Sequence, residues 1–210
     1  MRRKTHCAPP GIGYVDYAAF WFYYRENLDA LTRAGARLLR VSLLKDEVWP
    51  DIDGLYIGGG LPELHATRLS ANTDIRRHVA GLALSGLPIY AECGGFMYLA
   101  KSLIVGQENF DMAGVFDLDV RFHSRPQGLG YVEATVAGEN PYHPRGAYLR
   151  GHEFHFSAIE GLSYERGHIN QNDYLMKLNR GRGMAEGSNG QRLDGLLRQK
   201  TFASYMHIYA

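Results

Sequence analysis

Cys93 is the residue of this 210-residue sequence whose type and surroundings point most directly to chemistry. It follows a short apolar run at residues 87–91 and precedes Gly94 and Gly95, after which a helical pattern begins. This order predicts a nucleophile elbow, in which a buried strand turns sharply into a helix. The helix N-terminus would favour the thiolate, and the N–H of Gly94 could donate to an oxyanion. In the alternative interpretation Cys93 is a small buried side chain without a chemical role, as free cysteines often are.

A run of three glycines, Gly58, Gly59 and Gly60, follows a second predicted strand at residues 55–57. The carboxyl ends of parallel strands lie at one edge of a sheet, where ligands bind, so this run would face Cys93. Its backbone could approach a ligand closely, and Gly59 or Gly60 could supply a second oxyanion donor. The alternative is a flexible turn, because a glycine triplet alone is a weak signal.

A cysteine nucleophile needs a base, and nine histidines are available. His207 ends the last predicted strand, whereas His152 and His155 lie in the segment RGHEFHFS at residues 150–157. The spacing of His152 and His155 differs from that of a zinc protease motif, and residues three apart on a strand face opposite sides. No metal site is therefore predicted, and the pattern alone leaves the choice of base open.

The elements that would position these residues alternate between helix and strand in the first half of the chain. Helical spacing and end signals predict three helices, at residues 26–34, from Ser70 or Asn72 to 84, and at 96–103. Short apolar runs predict three strands, at residues 37–44, 55–57 and 87–91. This alternation is typical of an α/β fold with a parallel sheet and right-handed crossovers. After residue 110 the pattern predicts four strands that could extend the same sheet in an antiparallel or mixed arrangement, at residues 130–136, 147–159, 173–178 and 202–208.

Length and composition fit one ordinary domain. The formal net charge is +1 and no long charged run occurs, so nothing favours nucleic acid or an anionic membrane surface. No apolar stretch approaches the roughly 20 residues that span a bilayer, and the N-terminus lacks the apolar run of a secretory signal. We interpret residues 1–11 as a tail or linker remnant and residues 12–210 as the domain. The two cysteines occur in different contexts, which favours a reducing cytoplasm over a disulfide framework.

Five sequence blocks, in order, resemble the cobyrinic acid a,c-diamide synthase family. They are residues 20–28 (FWFYYRENL), 58–63 (GGGLPE), 91–99 (AECGGFMYL), 150–157 (RGHEFHFS) and 203–207 (ASYMH). The likeness runs from about residue 12 to residue 210. Five blocks in the same order make the resemblance specific.

The resemblance implies a class I, triad-type glutamine amidotransferase domain on a flavodoxin-like, mostly parallel sheet. It implies that Cys93 attacks the side-chain amide of glutamine, that His207 is the base, and that residues 53–63, with the run GGGLPE at 58–63, correspond to an oxyanion loop. The segment that contains His152, Glu153 and His155 would lie near bound glutamine. In the relatives, the ammonia reaches an ATP-activated carboxylate of a tetrapyrrole such as cobyrinic acid or a sirohydrochlorin.

This chain departs from the family pattern in two respects. Tyr209 stands where the family has a second histidine, and the GxxxxGK[ST] motif of a phosphate-binding loop is missing. No cofactor is therefore expected in this chain; ATP and Mg²⁺ are expected on a separate synthetase domain or subunit, through which the tetrapyrrole acceptor would be reached. His207 also lacks the His-x-Glu arrangement of many glutaminases, so the third member of the triad stays unassigned, with Glu153 as a candidate.

Two other functions remain open at this point. One is a catalytically inactive glutaminase-like domain that binds a tetrapyrrole or a synthetase partner. The other is a cysteine hydrolase of the same fold that acts on a different amide or ester. The retention of Cys93, the glycine run and His207 favours catalysis.

Overall fold

The computed structural model describes residues 8–45, 47–160 and 173–209, which form a mixed sheet of eleven strands and a second sheet of four strands. The strands of the main sheet are β1 (Gly11–Val15), β2 (Arg37–Val41), β3 (Gly54–Ile57), β4 (Ile89–Glu92), β8 (Gly128–Val136), β9 (Tyr148–His155), β11 (Tyr174–Arg180), β12 (Ala185–Glu186), β13 (Arg192–Arg198), β14 (Thr201–Ser204) and β15 (His207–Ile208). The second sheet contains β5 (Ala100–Val105), β6 (Glu108–Asp111), β7 (Phe116–Phe122) and β10 (Ser157–Ile159). The helices are α1 (Arg25–Arg33), α2 (Ala66–Ala71), α3 (Thr73–Leu84) and α4 (Gly94–Leu99), and a 3-10 helix spans Pro62–His65.

One half of the main sheet is parallel and the other half is antiparallel. Strands β2, β1, β3, β4 and β14 lie side by side in parallel. Beyond β14 the order continues with β13, β11, β8, β9 and β15, each antiparallel to its neighbour. The predicted α/β class, with a parallel sheet and an antiparallel extension of the same sheet, is confirmed.

The longest helix, α3, buries an apolar stripe against the main core, whereas α1 beside β2 has no buried residue. In α3, Ile75, Val79 and Ala83 are buried at helical spacing, and the side chain of Asn72 caps the helix by accepting the N–H of Ile75. The main core joins these residues to the parallel strands, to α4 and to the second sheet. A smaller core lies in the antiparallel half. Among the described residues, no helix is both long enough and apolar enough to cross a membrane.

The helix that follows Cys93 is shorter than the predicted helix at residues 96–103. It ends at Leu99, and Ala100 has extended backbone angles and begins β5. A continuous apolar run does not distinguish a buried helix from a buried strand by its periodicity. Here pairing of β5 with β6 and β7 determines the outcome.

Other predicted elements also differ from the structure. The strand predicted at residues 147–159 is divided into β9, in the main sheet, and β10, in the second sheet. The strand predicted at residues 202–208 is divided into β14 and β15, because Tyr205 and Met206 turn their N–H groups towards the carboxylate of Asp194. Strand β2 is shorter than predicted, and most of its side chains are at least partly exposed because it is an edge strand. Strand β1 was not predicted, and it begins at Gly11, one residue before the predicted domain boundary.

Candidate active site

Cys93 lies at the turn between β4 and α4, as the elbow prediction requires. Its φ is 47° and its ψ is −101°, a conformation that residues other than glycine rarely adopt. Gly95 makes the turn feasible, because a Cβ there would overlap the carbonyl oxygen of Ile57. The N–H of Cys93 donates to the carbonyl oxygen of Ser204 at 2.7 Å, which fixes the elbow to β14. The side chain is buried, with 4% of the residue surface exposed.

Two free N–H groups lie beside the elbow, one from the glycine run and one from the start of α4. Gly59 has no room for a side chain, because a Cβ would overlap the ring of His207. The N–H of Gly59 donates to the carbonyl oxygen of Phe22 at 3.0 Å and is therefore not available to an oxyanion, contrary to one of the sequence-based expectations. In the described part of the chain, neither Gly60 nor Gly94 has a hydrogen-bond acceptor for its N–H. These groups are neighbours, because a Cβ on Gly94 would lie 3.0 Å from the nitrogen of Gly60.

His207 is the histidine whose pKa responds to the side chain of Cys93. Its Nδ1 lies 3.6 Å from Oε2 of Glu92, and both side chains are at most 5% exposed. Burial by itself would lower the pKa of His207, but the interactions with Cys93 and Glu92 outweigh burial and raise that pKa to about 10. The ring is therefore a cation at neutral pH. The sulfur of Cys93 lies 3.7 Å from the carbonyl oxygen of Phe154.

Glu92 is the carboxylate beside His207, and the sequence analysis did not identify it. Its Oε1 accepts the N–H of Ile208 at 3.2 Å, and its Oε2 accepts the hydroxyl of Tyr56 at 3.1 Å. Burial and the charge of Glu92 raise the pKa of the Tyr56 hydroxyl above its ordinary value, so Tyr56 remains a neutral donor. The position of Glu92 next to Cys93 was the available signal. A carboxylate held by two donors can fix the orientation of the imidazole.

His152 supports His207 and does not line the pocket beside Cys93. The two histidines are opposite each other across β9 and β15, and their rings stack at 4.8 Å with 17° between the planes. Nδ1 of His152 lies 2.7 Å from the hydroxyl of Tyr24. Burial and the nearby charge of His207 lower the pKa of His152. His152 is therefore a neutral ring packed against a charged one.

Glu153 is not the partner of His207. Its side chain is 2% exposed and accepts the N–H groups of Arg182 at 2.6 Å and Gly183 at 2.9 Å. Burial would raise the pKa of Glu153, but the hydrogen bonds from His155 and these two N–H groups lower it. The sequence-based candidate for the third member of the triad is therefore wrong. Glu153 accepts hydrogen bonds from the segment that contains Arg182 and Gly183. The carboxylate beside His207 is Glu92.

His155 lines the same narrow pocket as Cys93, but both of its nitrogens are directed elsewhere. Nδ1 donates to the carbonyl oxygen of Ser157 at 2.8 Å, and Nε2 lies 3.5 Å from the carboxylate of Glu153. The ring stacks on Tyr205, with 3.7 Å between the centroids and 4° between the planes. Among His152, His155 and His207, the pKa of His207 is the one that the side chain of Cys93 raises.

The pocket beside Cys93 is mainly apolar and aromatic. Its walls come from the glycine run, the 3-10 helix, α4 and the strands around β9, and they consist of Gly60, Leu61, Glu63, Cys93, Met97, Phe122, Phe154, His155, Phe156 and Ser157. A nucleophile, a cationic imidazole and two adjacent N–H groups thus meet at one end of a narrow pocket. This arrangement is suited to acyl transfer from an amide or ester through a thioester.

The fold is that of an amidotransferase domain, and the sequence shows which family the chain belongs to. Residues 11–210 match the CobB/CobQ-like glutamine amidotransferase domain family, and the chain belongs to that family. It is 39% identical over 199 residues to a cobyrinate a,c-diamide synthase from Caldanaerobacter subterraneus subsp. tengcongensis, covering 94% of this chain and 41% of that protein. The synthase of the same description from Methanothermobacter thermautotrophicus is 38% identical, covering 95% of this chain and 41% of that protein. The chain therefore spans about 41% of the length of these relatives.

Solved structures agree on the fold. PurLQS from Thermotoga maritima superposes with a TM-score of 0.61 at 17% identity, covering 96% of this chain and 87% of the matched one. A crystal structure of a glutamine amidotransferase superposes with a TM-score of 0.60 at 19% identity, covering 93% of this chain and 89% of the other. The predicted class I glutamine amidotransferase fold is confirmed.

Proposed function

We propose that this chain hydrolyses glutamine through Cys93 and supplies the ammonia to an ATP-dependent synthetase. The arrangement of Cys93 against His207 in a member of this amidotransferase family is the observation that carries the proposal. The thiolate attacks the side-chain amide carbon of glutamine, and a tetrahedral oxyanion forms. The N–H groups of Gly60 and Gly94, which are adjacent and free, would donate to that oxyanion.

His207 would move the protons of both half-reactions. As an imidazolium it protonates the leaving nitrogen, so that the carbon–nitrogen bond breaks, ammonia departs and a thioester remains on Cys93. The neutral ring then removes a proton from water, whose oxygen attacks the thioester carbon and releases glutamate. The proton taken from water restores the imidazolium, and cleavage of the carbon–sulfur bond restores the thiolate. Glu92 would keep the ring oriented and stabilise its charge through the contact at Nδ1.

The names of the relatives support a proposal for the compound that accepts the ammonia. Proteins that are 38–39% identical to this chain are cobyrinate a,c-diamide synthases, and their similarity to this chain covers about 41% of their length. We propose that a separate synthetase domain or subunit binds ATP and Mg²⁺ and activates carboxylates of a tetrapyrrole, cobyrinic acid or a sirohydrochlorin. The amidation would take place in the cytoplasm.

A glutamine-analogue electrophile tests the nucleophile. A diazoketone analogue of glutamine should label Cys93 in preference to Cys7, and peptide mass spectrometry would locate the label. Cys93→Ser should abolish glutamine hydrolysis while the melting temperature stays nearly unchanged, because the substitution changes little volume. Equal labelling of both cysteines, or activity in Cys93→Ser, would overturn the assignment.

The competing functions give different results in the same experiments. An inactive domain would show no glutaminase activity even when a synthetase partner is added. A hydrolase for another amide or ester would hydrolyse that compound in preference to glutamine, and glutamine would compete poorly. The cationic His207, together with the position of Cys93 in the wall of a pocket, favours an active enzyme over both an inert domain and a purely structural cysteine.

A further inference from the structure

Glu63 is the acidic residue in the wall of the Cys93 pocket, and the function proposed above gives it no role. It lies in the 3-10 helix that follows the glycine run and is partly buried. In the described residues, no ion pair and no hydrogen bond from another residue reaches its carboxylate, which accepts only its own backbone N–H. Burial raises the pKa of Glu63 above its ordinary range. A carboxylate in this position is stabilised by a cation that enters the pocket.

The other polar side chains that line the pocket are already engaged. The hydroxyl of Ser157 lies 2.8 Å from that of Tyr205, and the nitrogens of His155 face the Ser157 carbonyl and Glu153. No lysine or arginine is among the described residues that form the walls. The remaining walls are largely aromatic, and aromatic faces tolerate a cation but do not attract an anion. The pocket thus presents one free charge, and it is negative.

The α-ammonium group of glutamine is attached to a carbon that lies three carbon–carbon bonds from the amide carbon that Cys93 would attack. We propose that Glu63 binds the α-ammonium group of glutamine and thereby selects an amino-acid amide over other primary amides. This inference rests on the proposed glutaminase function. The α-carboxylate of the substrate has no cationic partner in the walls and would point towards solvent.

Protection of Cys93 from alkylation measures this binding without a synthetase partner. Iodoacetamide labels Cys93, and a bound competitor slows this labelling. The dependence of the labelling rate on competitor concentration gives the dissociation constant of the competitor, provided that labelling is complete before much competitor is hydrolysed. Three competitors separate the contributions of the α-ammonium and α-carboxylate groups. Glutamine carries both groups, 4-aminobutanamide keeps only the ammonium, and glutaramate keeps only the carboxylate. On the wild type, glutaramate should bind roughly 10- to 100-fold more weakly than glutamine, as expected for loss of a charge-assisted hydrogen bond. 4-Aminobutanamide should bind within about 10-fold of glutamine.

Glu63→Gln should weaken glutamine and 4-aminobutanamide by roughly 10- to 100-fold and leave glutaramate unchanged or improved. The alkylation rate of each variant without competitor is measured first, so that protection is expressed relative to the variant's own rate. Glu63→Asp, which keeps the charge, should give an intermediate loss. Glu108→Gln, at an exposed site in β6, is the matched control and should change nothing.

Two results would overturn the inference. If glutamine protects the wild type and Glu63→Gln equally, Glu63 does not bind the ammonium although the glutaminase assignment stands. If 4-aminobutanamide is rejected while glutaramate binds well, the pocket recognises the carboxylate instead. If glutamine neither protects the wild type nor is hydrolysed, the proposed function itself fails. The melting temperatures of both variants should match the wild type and so exclude misfolding as the cause.

Discussion

At the scale of single residues, the reactivity of Cys93 depends on a charged neighbour. His207 has its pKa raised to about 10 because the hydrogen bonds and charges of Cys93 and Glu92 outweigh its burial. His207 should therefore stay a cation through the neutral range and lose its charge only near pH 10.

Replacing His207 should slow the alkylation of Cys93 and remove glutamine turnover. At neutral pH the wild-type sulfur has a cationic neighbour, and His207→Asn removes that charge, so iodoacetamide should react more slowly with the variant. His155→Asn is the matched control and should keep the wild-type alkylation rate. An unchanged alkylation rate in His207→Asn would exclude His207 as the cationic neighbour of Cys93.

Glu92→Gln tests the positioning of His207. Loss of the carboxylate should reduce glutamine turnover by about 100-fold or more, as expected when an imidazole loses its orienting acid. The pKa of His207 should fall from about 10 towards its ordinary range, which the ring proton resonances report by nuclear magnetic resonance. Tyr56→Phe, which removes one donor to Glu92, should have a smaller effect in the same direction. An unchanged pKa in Glu92→Gln would contradict the assignment.

At the scale of elements, a buried carboxylate in β13 shapes the segment that carries His207. Asp194 accepts the N–H groups of Gly195 at 2.7 Å, Tyr205 at 3.1 Å and Met206 at 3.2 Å. These hydrogen bonds accompany the end of β14 at Ser204 and the turn that follows. His207 then begins β15, which pairs with β9. The orientation of the base thus depends on a side chain from another strand.

Asp194→Ala should destabilise the fold by about 2 kcal/mol or more, because the N–H groups of Gly195 and Tyr205 would each lose the Asp194 carboxylate at about 1–3 kcal/mol. The N–H of Met206 would keep the hydroxyl of Ser204 as an acceptor at 2.9 Å. Burial raises the pKa of Asp194 from 3.8 to about 6, against the effect of those N–H groups. Between these values the folded protein holds a proton that the unfolded chain has released, so stability should fall as pH rises from about 4 to 6. Urea unfolding of the wild type and of Asp194→Asn across this pH range measures this dependence. The difference between the two free energies of unfolding, wild type minus variant, should decrease as pH rises.

The glycine run shows how a backbone position can matter for a side chain elsewhere. Gly59→Ala should abolish turnover, because the added Cβ would overlap the ring of His207 and displace it. Gly81→Ala is the matched control: nothing lies within 4 Å of a Cβ there, and alanine should stabilise α3 by about 0.5–1 kcal/mol. Turnover assays and thermal melting would compare them. Equal turnover in the two variants would mean that His207 tolerates the change.

At the scale of the whole molecule, the proposed function makes this chain one part of a coupled reaction. It contains the site proposed to release ammonia, and its similarity to the diamide synthases covers about 41% of their length. The GxxxxGK[ST] motif is missing from the sequence. Ammonia release is useful only when an activated acceptor is present, so regulation by the synthetase partner is expected.

The isolated chain should accordingly show no ATP hydrolysis and only low glutaminase activity. Addition of the synthetase partner with ATP, Mg²⁺ and the tetrapyrrole should raise glutamine turnover. The measurement is glutamate production with and without the partner, using Cys93→Ser as the control for contaminating glutaminase. A high turnover that does not respond to the partner would contradict the coupled reaction.

The sequence determined those features that depend on neighbouring residues. The elbow at Cys93 follows from a buried run before it and small residues after it, and α3 follows from its apolar spacing and the cap at Asn72. These are local steric and hydrogen-bonding rules, so a single segment carries the information. The resemblance also placed His207 in the site.

Only the tertiary structure decided which groups complete the site. Glu92 and Ile208 are 116 positions apart, and nothing in either segment indicates that they hydrogen bond. The N–H of Gly59 is engaged by Phe22 and not by a ligand, a contact that glycine content does not reveal. Residues 100–105 form a strand because β6 and β7 offer partners. Each of these outcomes depends on distant segments meeting in space, and their contacts outweigh the local preferences of the chain.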